Sequence, residues 1–239
     1  FDNASLVESF EGCRWTVATA REFVAGLPLA VTPITLRPRL VQHAAGAEPE
    51  PPLGEVPPQV DVRQMSLFGA GWTLGTLKAF AETGVDSLTV YETSGWRGVM
   101  ETAEGSPRPR VFRSLSGAVF PLYHILADVG EFSGGRVMPV VSSAPTLIDG
   151  LALDRNGDRR VLVANFSDTA GNVVIEGVPQ DVRIRFLDER SVLDAMQFPD
   201  AHRRQPGTLH RNTGGRLELQ LFPFAVACVD AARPPESDK

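Results

Sequence analysis

The hydrophobic period of this chain changes after Gly134-Gly135, and no other feature constrains the fold as tightly. Before that point, strand-like runs alternate with helical ones. Beyond it the apolar residues recur at every second position, the spacing of sheets with one buried face. A chain with this pattern needs two kinds of core: helices laid against parallel strands first, then antiparallel strands packed face to face.

The first part is read as follows. Ser5-Leu6-Val7-Glu8 has the form of a capping box. Leu6, Phe10, Cys13, Val17, Ala20 and Val24 follow it at helical spacing, and Gly26 and Pro28 end the run. Residues 29–36 form a nearly continuous apolar stretch, as in a strand covered on both faces, although Pro33 inside it cannot donate to a ladder. Residues 43–59, rich in Pro, Ala and Glu, make a long loop of the kind that forms lids or substrate-binding segments. A second amphipathic helix carries Met65, Phe68, Trp72, Gly75, Ala79 and Phe80 on one face and ends near Gly84. Residues 86–91 form the next strand, and 105–116 are irregular. A third helix spans about 119–129, with Pro121 in its first turn, where proline's missing N–H does no harm.

After Gly135, strands are predicted over 136–141, 147–153, 159–165, 172–176, 182–187 and 216–229. Asn156-Gly157 marks a tight hairpin. The fold class is therefore α/β plus all-β: the C-terminal portion of a (β/α)8 TIM barrel over residues 1–135, an antiparallel β-sandwich over 136–231, and a disordered polar tail over 232–239. The chain has no initial Met, and Phe1-Asp2-Asn3 reads as the end of a strand. The sequence thus reads as a fragment whose barrel part is neither stable nor active alone, while the sandwich is expected to fold by itself. Residues 221–229 suit a core strand better than a sugar-binding face, so the sandwich is expected to be structural rather than carbohydrate-binding.

A net charge of −6 argues against a nucleic-acid partner. No apolar run approaches the roughly 18 residues of a membrane span. Cys13 and Cys228 lie in different predicted domains, so neither a disulfide framework nor a metal cluster is expected, and a cytoplasmic setting is the default. No cofactor is called for.

In a barrel, the residues just past the strand C-termini face the substrate. That rule nominates Asp2 and Asn3, Arg37 and Arg39, and Glu92 with Ser94, Trp96 and Arg97; Asp61, Arg63 and Gln64 stand second, where the long loop enters the second helix. Glu92 suits a general base or acid. Arg37 and Arg39 suit an oxygen-rich or anionic group, or a developing oxyanion. Trp96 offers a flat surface to a sugar-like ring. The plainer readings stand beside these: Asp61 as a helix cap, Arg-Pro-Arg as a salt-bridged corner, Glu92 as a structural ion-pair partner, His124 as a core residue. His43, His202 and His210 show no ligand spacing.

Four strings carry a resemblance: Leu-Arg-Pro-Arg at 36–39, Pro-Pro-Gln-Val-Asp-Val-Arg-Gln-Met-Ser-Leu-Phe-Gly-Ala-Gly-Trp-Thr-Leu-Gly at 57–75, Tyr-Glu-Thr-Ser-Gly-Trp-Arg-Gly-Val-Met-Glu at 91–101, and Val-Phe-Pro-Leu-Tyr-His-Ile-Leu-Ala-Asp-Val-Gly-Glu-Phe at 119–132. In these strings the chain resembles the D-apionate lactonase (D-apionolactonase) family. The resemblance implies a bacterial hydrolase of apiose catabolism that opens a small-molecule sugar lactone on a glycoside-hydrolase-like barrel. In related glycosidase barrels a nucleophilic carboxylate follows the seventh strand. If residues 29–36 are that strand, Arg37 stands in its place, which suits a lactonase with one base and an oxyanion stabiliser. A glycoside hydrolase on the same scaffold and a non-catalytic carbohydrate-binding protein are the alternatives.

Overall fold

The first helix, α1 (Asn3–Val24), is started by Asp2. The Asp2 carboxylate accepts from both the amide and the hydroxyl of Ser5 at 2.8 Å, satisfying a donor that the helix leaves open. The expected Ser5–Glu8 box is therefore corrected: the cap lies three residues earlier, and residues 2–3 belong to the helix start rather than to a strand end. The computed structural model describes residues 2–24, 26–38 and 51–232. Arg39, His43, the first part of the long loop and the tail from residue 233 lie outside the described residues.

β1 (Ala30–Ile34) pairs in parallel with β2 (Ser87–Val90), joining Ala30 to Ser87 and Ile34 to Val90. The register shifts between Val31 and Ile34, where Pro33, after a cis peptide bond, supplies no N–H. The residues of β1 are exposed or half-buried, and among the described residues the strand belongs to a two-stranded sheet. A 3-10 turn at Val62–Met65 leads through Ser66, whose hydroxyl accepts from the Gly69 amide, into α2 (Leu67–Ala81). One apolar face was expected of α2, but the helix is buried from Phe68 to Thr76 and from Lys78 to Phe80, so it runs through the interior. Two short parallel strands, β3 (Glu92–Ser94) and β4 (Gly98–Met100), follow β2. After an irregular stretch, α3 (Pro121–Gly130) begins with Pro121 in its first turn, as expected.

The second half supplies β5 (Arg136–Met138), β6 (Ile148–Arg155), β7 (Asp158–Asn165), β8 (Gly171–Glu176) and β9 (Asp181–Leu187). Two short helices, α4 (Val192–Gln197) and α5 (Pro199–Arg204), precede β10 (Thr208–Arg211), β11 (Arg216–Leu221) and β12 (Val226–Ala231). The single strand expected over 216–229 is thus two, divided by a turn in which Phe224 adopts φ 56°. Asn156 and Gly157 both have positive φ, and they close the β6–β7 hairpin directly at the Arg155–Asp158 pair.

The antiparallel six-stranded sheet has the order β10-β9-β12-β7-β6-β5, and β11 and β8 pair as a second layer. Its alternation feeds two cores. Val163, Val182, Ile184, Ala227 and Val229 point to the β8–β11 layer and meet Leu217, Leu219 and Leu221. Leu151, Leu153, Leu162, Ala164 and Cys228 point the other way and join the core built from α1, α2 and α3. Leu162 and Leu151 are 0% and 1% exposed there, and each such side chain contributes about 1.5–3 kcal/mol by leaving water. An isolated 136–231 piece would carry this second set of side chains uncovered. Among the described residues no helix is long and apolar enough to cross a membrane.

Candidate functional site

The parallel pairing of β1 and β2 brings the ends of the two strands to one edge: the Tyr91 amide donates to the Ile34 carbonyl at 3.1 Å. Arg37 leaves that edge three residues after Ile34, and Glu92 two after Val90. Tyr91 itself turns inward. Its φ is 56°, its hydroxyl lies 2.7 Å from the Thr73 hydroxyl, and burial pushes its pKa upward.

Asp61, 5% exposed, binds two arginines. Arg37 Nε donates to Oδ2 at 3.1 Å, while Arg63 donates from Nε to Oδ1 at 2.8 Å and from Nη2 to Oδ2 at 2.7 Å, the forked geometry favoured by guanidinium and carboxylate. The Arg63 amide donates to the same carboxylate at 2.9 Å, so Asp61 also caps the 3-10 turn. Burial alone would raise the Asp61 carboxyl, but the hydrogen bonds and charge of Arg63, helped by Arg37, hold it below the usual carboxylate range. Arg63 further donates from Nη1 to Asn3 Oδ1 at 2.9 Å, which ties the turn to the start of α1. Gln64, 3% exposed, donates from Nε2 to the Gly98 carbonyl at 2.8 Å.

The loop after β2 closes on itself. Glu92 N donates to Arg97 O at 3.0 Å, Gly98 N to Gly95 O at 2.7 Å and Gly95 N to Met100 O at 2.9 Å. Arg97 Nε sits 3.3 Å from Glu92 Oε1, an ion pair whose side chains are 34% and 35% exposed but whose Nε is not aligned as a hydrogen bond. Trp96 stands edge-on to Phe112, with ring centroids 6.4 Å apart, and Phe112 in turn packs on Phe120.

The residues nominated from the sequence therefore fall into two groups. Arg37, Asp61 and Arg63 form one charged cluster; Glu92, Trp96 and Arg97 form the rim loop, and Gln64 joins the two. Asp2 caps α1, its carboxyl lowered chiefly by the Ser5 amide and hydroxyl. Asp61 and Gln64 are too deeply buried to touch a substrate and act as supports. Arg39 lies outside the described residues. Glu101, 1% exposed, was missed: it accepts from the Thr102 amide at 2.9 Å and from the Ser114 hydroxyl, anchoring the irregular stretch below the rim. Only its place in the 91–101 string pointed to it. His124 and His202, unrelated by spacing, meet edge to face with centroids 4.9 Å apart. Among the described residues no group of three or more His, Cys, Asp or Glu is placed to hold a metal ion.

A cleft of about 750 Å³ lies elsewhere, inside the sandwich, lined by Met138, Ile148, Val161, Val163, Val173 and Val182 among others. It holds none of the rim residues, and its walls mix sandwich-core side chains with polar ones such as Asp149, Arg159, Arg160, Asn172 and Glu176.

Family models for the TIM barrel domain and the C-terminal immunoglobulin-like domain of D-apionate lactonase match residues 1–134 and 145–229. The chain belongs to the D-apionate lactonase family. Among solved structures, this family member is similar to a family 30 glycoside hydrolase endoxylanase from Clostridium papyrosolvens, with 11% identity, 89% of this chain and 44% of that chain covered, and a TM-score of 0.56. A bifunctional glucanase-xylanase from a metagenome library shows 14% identity, with 91% and 34% of the two chains covered and a TM-score of 0.56. A family 30 xylanase from Clostridium acetobutylicum shows 10% identity over 87% of this chain and 43% of that one, at a TM-score of 0.53. The chain thus spans less than half the length of these structures. At such identities the likeness is one of fold. No curated protein matches the chain.

Proposed function

We propose that the protein carrying this chain hydrolyses a sugar-acid lactone, D-apionolactone being the substrate that the family points to, and yields the open hydroxy acid in carbohydrate catabolism. The observation that carries the reading is the parallel β1–β2 pair, which delivers a guanidinium, Arg37, and a carboxylate, Glu92, to one edge. In this reading Glu92 takes a proton from water as the water oxygen bonds to the lactone carbonyl carbon. Arg37, held by Asp61, stabilises the oxyanion that forms. The ring C–O bond then breaks, and the departing alkoxide takes up a proton. Trp96, Arg97 and Arg63 shape the surface around the ring, with Trp96 offering its face to the sugar C–H groups.

A retaining glycosidase needs two carboxylates about 5–5.5 Å apart. At this edge Asp61 is committed to two arginines, which leaves Glu92 to act as a single base, the arrangement that lactone opening needs. The test is acid release from D-apionolactone and a panel of sugar lactones by the complete protein. Catalysed release that drops about 100-fold or more in Glu92→Gln supports the reading. Near-normal turnover by that variant, or reducing-sugar release from glycosides with no acid release from lactones, overturns it.

A further inference from the structure

We infer that Gln64 is a positioning residue that sets Glu92 against Arg37 by holding the carbonyl of Gly98. This inference rests on the lactone-opening reading above for its kinetic meaning, but its structural basis is separate. Asp61 and Gln64 lie within one short stretch, and each grips a different partner: Asp61 the Arg37 guanidinium at the end of β1, Gln64 the loop that carries Glu92. The two groups assigned to water and to the carbonyl are thereby referred to the same turn, which Arg63 pins to α1 through Asn3.

Gly98 is an effective handle for that purpose. It pairs with Glu92 across the β3–β4 bridge, and its own amide closes the loop onto Gly95. A Cβ at position 98 would lie 2.7 Å from the backbone N, Cα and C of Ser94, so the loop is drawn tight at this residue. The Arg97 carbonyl that accepts the Glu92 amide is bonded directly to the Gly98 nitrogen, so a shift of the Gly98 backbone reaches the base through that hydrogen bond. The carbonyl is an acceptor inside a dry contact, so it needs a donor. Gln64 presents its amide nitrogen there at 2.8 Å, which a carboxylate or an apolar side chain of equal length cannot do.

The experiment uses two variants of the complete protein, Gln64→Glu, of the same shape without the donor, and Gln64→Met, of similar length and apolar. Steady-state kinetics on D-apionolactone are paired with amide hydrogen exchange. The expected result is a kcat lower by about 10- to 100-fold with KM changed far less, since misplacing a reacting group falls on the chemical step. Exchange should accelerate at the amides of Glu92, Gly95 and Gly98 while α2 and the six-stranded sheet keep their protection. Unchanged exchange over 92–100, or a rise spread over the whole chain with kcat and KM altered together, overturns the inference. If the unmodified protein opens no lactone, the functional reading fails by itself, and the exchange pattern still decides whether Gln64 holds the loop.

Discussion

Lys78 Nζ on α2 lies 2.5 Å from Asp149 Oδ1 on β6, and both side chains are within 5% of complete burial. The ammonium also donates to the Val140 carbonyl at 3.0 Å, so one lysine binds the helical layer to the sheet and to the connection between β5 and β6. A buried pair of this kind adds little over an apolar pair of the same volume, yet removing one partner strands the other charge in a dry interface. Lys78→Met should therefore cost about 3–5 kcal/mol of unfolding free energy, and Lys78→Met with Asp149→Leu should recover most of it. Denaturant melts of the two variants check this. Equal losses would show that the stranded Asp149 charge is not the source of the cost.

Gly75 on α2 lies directly against the Phe10 side chain of α1. A Cβ there would lie 2.3 and 2.4 Å from the Phe10 ring, which is itself held by Trp72 and Phe166 at 6.4 and 5.6 Å. Helix propensity favours Gly75→Ala by about 1 kcal/mol, whereas forcing the ring aside costs about 1–3 kcal/mol. The variant should be less stable, and adding Phe10→Leu should restore part of the loss. Thermal melts of the single and double variants decide it.

The edge-to-face His124–His202 pair makes stability depend on acid. Burial first, then the neighbouring His202, Arg203 and Arg185, lowers His124 to about 4 from 6.5, against the opposing hydrogen bond to the Ala195 carbonyl. His202 is lowered too, again by burial first, with Asp128 and Asp194 pulling the other way. A histidine kept neutral by folding stabilises fully above its unfolded pKa, and that contribution fades as the pH falls through 6.5 toward about 4. The melting temperature should decline across that window. His124→Leu, less stable at pH 7 for want of the Ala195 bond, should show a flatter decline. Parallel slopes for the two proteins would refute the assignment.

Asp61→Asn keeps the shape of the Arg37–Asp61–Arg63 cluster and removes its charge. The loss should be about 1.5–3 kcal/mol in stability, the worth of charged hydrogen bonds, with a fall in lactone turnover as Arg37 loses its anchor. Raising the salt concentration should not reproduce the effect, because the Asp61 side chain is only 3% exposed. Denaturation and turnover at low and high salt test both statements.

Much of the scaffold was legible because it depends on neighbours in sequence. Pro121 marked the start of α3, Asn156-Gly157 the β6–β7 turn, and the change of period at Gly134-Gly135 the passage to antiparallel sheet. α4 and α5 were missed because six residues are too few to show a helical period, and Pro199 interrupts the run between them. The cap on α1 was misplaced because Ser5 and Glu8 match a capping pattern that Asp2 in fact supplies. The rim residues could be nominated from their places after strands, but not their partners. Arg37 and Asp61 are 24 residues apart and Gln64 and Gly98 are 34 apart, contacts that no periodicity announces.

The six-stranded sheet touches a helical layer on one side and the β8–β11 layer on the other, with alternate residues of the same strands assigned to each. Inheritance follows from this. A recombination joint placed at Gly134-Gly135 would separate two sequence patterns cleanly and still split a single packed surface. The halves are therefore coupled: substitutions on α2 and on β6, β7 or β12, which pack together, should combine non-additively, and an immunoglobulin-like module borrowed from another barrel protein would arrive with a helix-facing side not fitted to α2.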